Sequence, residues 1–261
     1  MPFLATIEGA FSFGRNTPQT PVVTSNLQIW VDAGNNASYP GNGTKWSNLV
    51  NSNAGTYWYN LSNSPSVSTI VYNATSNVSL TFDGVNDYAT PNTSLLTLAQ
   101  ANNWNETREY WVYWPGLPGC LTMESGSATP DVAWFDAQAA LSNTSLAYAV
   151  WSDMTGKVIT NSFSANKWNH IIWQHNKSAN LMMGYVNGVL LYSNASVPRT
   201  TPDSAGYGFY PILMAGSATN FGYGSGSYLR ASLGVFRWYN QILTSAQISS
   251  NFNAERGRFG I

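Results

Sequence analysis

From residue 131 onward, short runs of alternating character recur at intervals of roughly ten residues, and this spacing constrains the fold more than any other feature. The runs are Val132–Asp136, Ser145–Trp151, Lys157–Thr160, Trp168–His175, Met182–Val186 and Val189–Tyr192. Such intervals leave no room for the helical crossovers of about a dozen residues that a parallel sheet needs, so the strands pair antiparallel. Asn187-Gly188 sits between the last two runs. Both residues tolerate positive φ, which makes the dipeptide a type I′ hairpin turn that sets the register of its strands. A Gly/Tyr/Ser-rich stretch at 200–228 surrounds a strand at Ile212–Ala215, and Leu229–Tyr239 reads as a long apolar strand.

The front half follows the same rules. Leu27-Gln-Ile-Trp-Val-Asp32 alternates as a strand, and shorter strands are expected around Thr56–Asn60 and Thr69–Tyr72. Val78–Phe82, Asp83-Gly84 and Val85–Ala89 read as strand, tight turn and strand, because Asp-Gly is a strong hairpin signal. Residues 95–104 are expected to hold one helical turn, and Glu109–Trp114 is an aromatic strand ended by Pro115-Gly116. Near the C-terminus Thr244 is a good N-cap, followed by apolar Ala246, Ile248 and Phe252, so 244–256 reads as a short helix. Composition agrees: aromatic residues make up 14% and charged residues only 9%, against a typical charged share of roughly 25%. Surface helices lack the charge they need, while strands have their preferred residues.

The expected fold is therefore all-β: an antiparallel β-sandwich with a short C-terminal helix, built around one core as sandwiches of this length commonly are. Residues 1–26 read as an extended arm or linker, 27–250 as the sandwich and 251–261 as a tail. The ionisable groups narrow the function. The 11 basic and 12 acidic residues are scattered singly, with no basic stripe to neutralise phosphates, so nucleic acid is not an expected partner. Cys120 is the one cysteine, which excludes an internal disulfide and reads as a small buried hydrophobe. His170 and His175 stand five apart, on opposite faces of one strand. No run of 18 apolar residues occurs, so no membrane span is expected. The opening MPFLATIEGAFSFGRN lacks the basic start and cleavage site of a signal peptide. Ten N-x-S/T sequons occur, a number that Asn-, Ser- and Thr-rich composition largely accounts for.

Segments spread along the chain carry a resemblance. Trp168-Asn-His-Ile-Ile-Trp-Gln-His175, Met183-Gly-Tyr-Val-Asn-Gly-Val-Leu-Leu-Tyr192 and Gly234-Val-Phe-Arg-Trp-Tyr-Asn-Gln-Ile-Leu-Thr-Ser-Ala-Gln-Ile248 follow in order. Together they resemble the C-terminal half of the laminin-G / concanavalin A-like lectin family. Leu27-Gln-Ile-Trp-Val-Asp-Ala-Gly-Asn35, Trp46-Ser-Asn-Leu49 and Leu80-Thr-Phe-Asp-Gly-Val-Asn-Asp-Tyr88 resemble its opening strands, so the likeness spans about residues 26–255. It implies a concanavalin A-like jelly roll, in which Trp168 and Trp173 are expected to fill the space between the sheets, Trp46 and Trp238 to pack in the core and the terminal helix to lie across one end.

The resemblance also directs attention to sites. Glucanases on this fold carry clustered carboxylates alternating along one strand, and retaining chemistry needs two carboxyls about 5 Å apart. The nearest approaches here are Glu106/Glu109 and Asp131/Asp136, whose odd spacings of three and five point to opposite faces. Catalysis is therefore not expected. Calcium at a sandwich rim would take Asp83 and Asp87. Carbohydrate would stack on Trp104, Trp134, Trp151, Tyr207 and Tyr210. Both ends of the chain resemble those of laminin-G-like proteins of tailed phages and large DNA viruses. Phe11, Phe13 and Arg15 in the arm, and Arg256, Arg258 and Phe259 in the tail, are the candidate docking residues. The expected function is thus a non-enzymatic virion structural protein at the virion surface: a capsid decoration, minor capsid or fibre-associated subunit. Its ends would contact other virion subunits in an oligomeric assembly, and its lectin-like domain would meet host glycans. Two alternatives stay open, a cell-surface or secreted carbohydrate-binding module and a glycoside hydrolase with an unrecognised site.

Overall fold

A computed structural model describes residues 21–50, 55–63, 70–75, 78–101, 103–117, 119–125, 137–142, 145–150, 153–159, 164–195, 210–214 and 228–261. The elements are β1 (Leu27–Asp32), β2 (Lys45–Ser47), β3 (Trp58–Asn63), β4 (Val71–Asn73), β5 (Ser79–Asp83), β6 (Asp87–Pro91), α1 (Leu96–Gln100), β7 (Glu106–Trp114), β8 (Gly119–Ser125), β9 (Ala137–Ser142), β10 (Ser145–Val150), β11 (Asp153–Ile159), β12 (Lys167–Asn176), β13 (Leu181–Val186), β14 (Val189–Asn194), β15 (Tyr210–Leu213), β16 (Arg230–Tyr239) and α2 (Ser245–Phe259). The expected strand at Val132–Asp136 lies outside the described residues.

The strands form two antiparallel sheets. The first runs β14-β13-β12-β7-β16-β5-β4, with β1 continuing along the β5 side of β16, and the second runs β11-β10-β9-β8-β15-β6-β3-β2. Between β13 and β14, Asn187 and Gly188 have φ of 50° and 79°, the positive pair that a type I′ turn requires. The Asp83-Gly84 expectation is corrected. Gly84 does take positive φ, at 77°, but β5 pairs with β16 in the first sheet while β6 pairs with β3 and β15 in the second. Residues 84–86 therefore carry the chain from one sheet to the other. A side chain at Gly84 would meet Arg230 Cβ at 2.7 Å, so the crossing needs glycine for space as well as for φ.

Alternation along the central strands assigns each side chain to a layer. On β7 the even positions Tyr110, Val112 and Trp114 join Trp46, Tyr59, Leu61, Trp173, Phe236 and Trp238 in the main core between the sheets. The odd positions face the other way, where Trp111 packs with Trp168, Val235 and Phe259. Trp168 and Trp173 are five apart, so they too part company. Trp173 lies between the sheets, as expected, and Trp168 does not.

That second layer is the seat of α2. The helix starts on a capping box, with Thr244 Oγ1 accepting from the Gln247 N–H and the Gln247 side chain accepting from the Thr244 N–H. It ends at Gly260, φ 74°. Instead of closing one end of the sandwich, it lies across the outer face of the first sheet. Phe259 stacks on Trp111 with ring centroids 4.4 Å apart and tilts against Trp168 at 4.5 Å. Gly234 makes this approach possible, because a Cβ there would lie 2.7 Å from the Phe259 ring.

Candidate functional site

The chemistry-bearing residues fall in two places, one sealed and one open. The sealed place lies between the first sheet and α2. Glu109 on β7 sits opposite both Arg237 on β16 and Ile172 on β12, so its carboxylate meets groups from both neighbours. Arg237 Nη1 donates to Glu109 Oε1 at 2.8 Å, His170 Nε2 lies 3.0 Å from the same oxygen, and Asn251 Nδ2 donates to Oε2 at 2.7 Å. Arg237 also pairs with Glu255 of α2, Nη1 to Oε2 at 2.9 Å. Burial alone would raise the Glu109 pKa, but Arg237, and then the hydrogen bonds from His170 and Asn251, outweigh it and hold the group at about 2. Arg237 is held above its ordinary value, because Glu255 and Glu109 outweigh the opposing effect of burial.

Two carboxylates bracketing one guanidinium invite a catalytic interpretation, yet the geometry does not admit substrate. Glu109, His170 and Arg237 are fully buried, and Glu255 is 9% exposed. This cluster holds the helix to the sheet.

Glu106 is three residues before Glu109 and faces the opposite way, as its odd spacing requires. It receives two hydrogen bonds from Arg108 Nη2, at 2.8 and 3.0 Å, and one from Trp238 Nε1 at 2.8 Å, all inside the core. Glu106 and Glu109 therefore cannot work as a pair. Asp131 and Asp136 lie outside the described residues.

The calcium candidates are engaged in their own loop. Asp83 Oδ1 accepts from the N–H groups of Val85 and Asn86, and Asp87 Oδ2 accepts from the Asp83 N–H. Asp87 is fully buried. Among the described residues no group of three His, Cys, Asp or Glu side chains is placed to hold a metal.

The aromatic candidates scatter. Trp104, at φ 60°, is buried in the main core and presents no face to solvent. Tyr210 opens β15, opposite Ser125. Trp134, Trp151 and Tyr207 lie outside the described residues, as do Phe11, Phe13 and Arg15. At the C-terminus, Phe259 is buried under the helix, and Arg258 forms a two-pronged ion pair with Asp32 at 2.9 and 2.8 Å. Arg256 is exposed, with its guanidinium 5.8 Å from the centre of the Phe252 ring.

The open place is one that the sequence reading passed over: the outer face of β2, β3 and β6. In β3, Tyr59 and Leu61 point into the core, so Trp58 and Asn60 point out. Register sets Lys45, Asn60 and Thr90 side by side across the three strands. Trp58 lies diagonally beside Lys45, whose exposed ammonium sits 4.2 Å from the ring centre. Trp58 Nε1 donates to Asn60 Oδ1 at 3.1 Å, which fixes the ring on the sheet. Tyr88 continues the face and packs against Tyr228 at 6.3 Å. The signal was present in Trp58-Tyr-Asn-Leu-Ser-Asn63: a tryptophan stands in the polar phase of a period-two strand, where nothing in the core calls for it.

No helix among the described residues is long and apolar enough to cross a membrane. No curated protein sequence matches the chain. Among solved structures, a Trypanosoma rangeli sialidase in complex with sialic acid is similar at 16% identity and a TM-score of 0.61, over 91% of this chain and 34% of the sialidase. The receptor-binding domain of a botulinum neurotoxin C/D mosaic serotype is similar at 13% identity and TM-score 0.58, over 88% of this chain and 52% of that one. Domain 4 of an extracellular arabinanase from Geobacillus stearothermophilus, solved with arabinotriose, is similar at 13% identity and TM-score 0.57, over 87% of this chain and 98% of the domain. This chain thus spans about a third of the length of the sialidase, and at these identities the likeness establishes the fold alone.

The expected virion role is corrected by these findings. The solved structures named above that share the fold are a sialidase, a toxin receptor-binding domain and an arabinanase domain, and none of them is a viral structural protein. Two of the tail residues on which that role rested, Arg258 and Phe259, are engaged inside the fold. The profile of the concanavalin A-like lectin/glucanases superfamily matches residues 83–249, well over half of the chain, and with the two-sheet sandwich observed it is to this superfamily that the chain belongs.

Proposed function

We propose that this chain is a non-catalytic carbohydrate-binding module, working at a cell surface or in a secreted protein, that lays a saccharide across the outer face of β2, β3 and β6. The observation that carries the proposal is Trp58, a half-buried indole whose N–H is tied to Asn60 and whose ring is left uncovered by any other aromatic ring among the described residues. A sugar ring stacks its apolar C–H face on such a platform, as aromatic side chains offer a large apolar surface with little entropy to lose. Around it stand polar groups that match hydroxyls: the Asn60 amide, whose nitrogen has no hydrogen-bond partner among the described residues, the exposed Lys45 ammonium and Ser47. The saccharide-bound relatives support this reading, one holding sialic acid and one arabinotriose. Against hydrolysis stands the disposition of the acids, since Glu106 and Glu109 are buried on opposite faces of β7.

The test is a glycan array probed with the intact chain and with Trp58→Ala. Saccharide binding by the intact chain, reduced at least about tenfold by the substitution with the melting temperature little changed, is the expected result. Unaltered binding by Trp58→Ala removes this face from consideration.

A further inference from the structure

We infer that the saccharide taken by this face is anionic, and that Lys45 is the residue that selects for its charge. The inference rests on the binding function proposed above. Lys45 is the one basic residue in β2, β3 and β6, and Asp87 is the one acidic residue. Asp87 is fully buried and turned toward its own loop, where it accepts the Asp83 N–H at 3.1 Å. It therefore offers Lys45 no counterion. Among the described residues the Lys45 ammonium makes no ion pair and no side-chain hydrogen bond, and it sits over the ring of Trp58, 4.2 Å from the centroid. Among the described residues, then, no carboxylate neutralises the positive charge parked on the surface that a sugar must occupy.

This parking discriminates between ligands. A neutral sugar stacking on Trp58 displaces the ammonium from the ring, which loses its cation–π contact and gains at most a hydrogen bond to an uncharged hydroxyl. An anionic sugar displaces it equally, but the ammonium then finds the ligand's charge within reach of its flexible stem and forms a charge-assisted hydrogen bond. Lysine, as a compact point charge, does not demand the planar two-pronged geometry that arginine would, so a carboxylate and a sulfate ester are read by the same group. The Asn60 amide, one strand over in the same cross-strand rank, is placed to donate to a hydroxyl of the same residue of the saccharide.

The experiment uses an array of matched saccharides, each neutral glycan beside its sialylated, uronate-containing and sulfated counterparts, probed with the full chain, Lys45→Met, Lys45→Glu and Trp58→Ala. Methionine keeps much of the apolar stem of an exposed strand residue, and circular dichroism melts confirm that each variant folds. The intact chain is expected to prefer anionic members. Lys45→Met is expected to lower their binding about tenfold, the value of one charge-assisted contact, while neutral counterparts hold or improve because the ring is uncovered. Lys45→Glu is expected to reverse the preference. Carboxylate and sulfate spots responding separately would identify which anion is the ligand. A neutral preference in the intact chain, or an anionic preference untouched in Lys45→Met while Trp58→Ala abolishes binding, overturns the inference and leaves the binding function standing. No binding to any spot, or binding indifferent to Trp58→Ala, overturns the function and the inference together.

Discussion

Arg237 Nη1 donates to Glu109 Oε1 at 2.8 Å across the β16–β7 boundary, and neither side chain is exposed to solvent. A buried ion pair is worth keeping intact more than it is worth having, because the loss of one partner strands the other charge away from water. With Asn251 and Glu255 of α2 bound to the same two residues, the pair also couples the helix to the sheet.

Acid should therefore loosen the fold through Glu109. Its folded pKa, about 2, lies below the unfolded value near 4.5, so the stabilisation is present above the unfolded value. It is lost as pH falls from there through the folded value. Over that window the group contributes on the order of 3 kcal/mol. Urea midpoints at pH 7, 4 and 2.5 should fall accordingly in the intact chain. Glu109→Gln should be destabilised by about 3 kcal/mol at pH 7 and should show a visibly flatter pH dependence. A Glu109→Gln curve parallel to that of the intact chain would show that other carboxylates govern acid unfolding.

The contact between Gly234 and Phe259 makes a different prediction. A Cβ at position 234 would lie 2.7 Å from the ring, and the ring cannot retreat because Trp111 and Trp168 hold it on other sides. Gly234→Ala should cost about 1–3 kcal/mol by overpacking, and Phe259→Ala about 3–5 kcal/mol by leaving a cavity. In the double variant the new methyl occupies part of the vacated space, so the loss should be smaller than the sum. Chemical denaturation of the four proteins in the cycle measures the coupling. Simple additivity would mean that the helix end lies elsewhere.

Much of this fold could be read from local chemistry, and the failures share one cause. Asn187-Gly188, the Thr244 cap and the alternation of Leu27–Asp32 depend on residues within a few positions of one another, and each was legible. Asp83-Gly84 carries the same local chemistry as a hairpin turn. Yet the partner of β5 is β16, with Leu80 opposite Leu233, and nothing near residue 83 announces a strand so far along the chain. The odd spacing that separates His170 from His175 separates Trp168 from Trp173 equally well, so the side taken by Trp168 was available and was missed. Glu109 could not be placed by pattern at all, since its partners come from β12, β16 and α2. Trp58 was legible in principle, as an indole in the polar phase of an alternating strand.

Thr244 anchors α2 through a reciprocal cap, its hydroxyl accepting from the Gln247 N–H at 3.3 Å while Gln247 Oε1 accepts from the Thr244 N–H at 2.8 Å. Thr244→Ala removes one side of that exchange and should cost about 1 kcal/mol, while Thr244→Asp should be nearly neutral. Because among the described residues α2 packs on the first sheet, saccharide binding at the β2–β3–β6 face should be untouched in both variants. Thermal melts paired with array binding separate the two effects.

Cys120 should behave as a reporter of global unfolding. The residue is fully buried, and its thiol donates to the Thr122 carbonyl at 3.2 Å, so a disulfide reagent cannot reach the sulfur in the folded chain. It stands on β8, in the interior of the second sheet between β9 and β15. Exposing it requires those strand pairings to open, which only extensive unfolding accomplishes. Labelling by an aromatic disulfide reagent at pH 8 should thus be negligible in native buffer and rise with urea along the same curve as the loss of circular dichroism. Cys120→Ala should lose about 1 kcal/mol, as one small buried group removed, without any effect on saccharide binding. Rapid labelling in native buffer would place the thiol at the surface and contradict the interior position of β8.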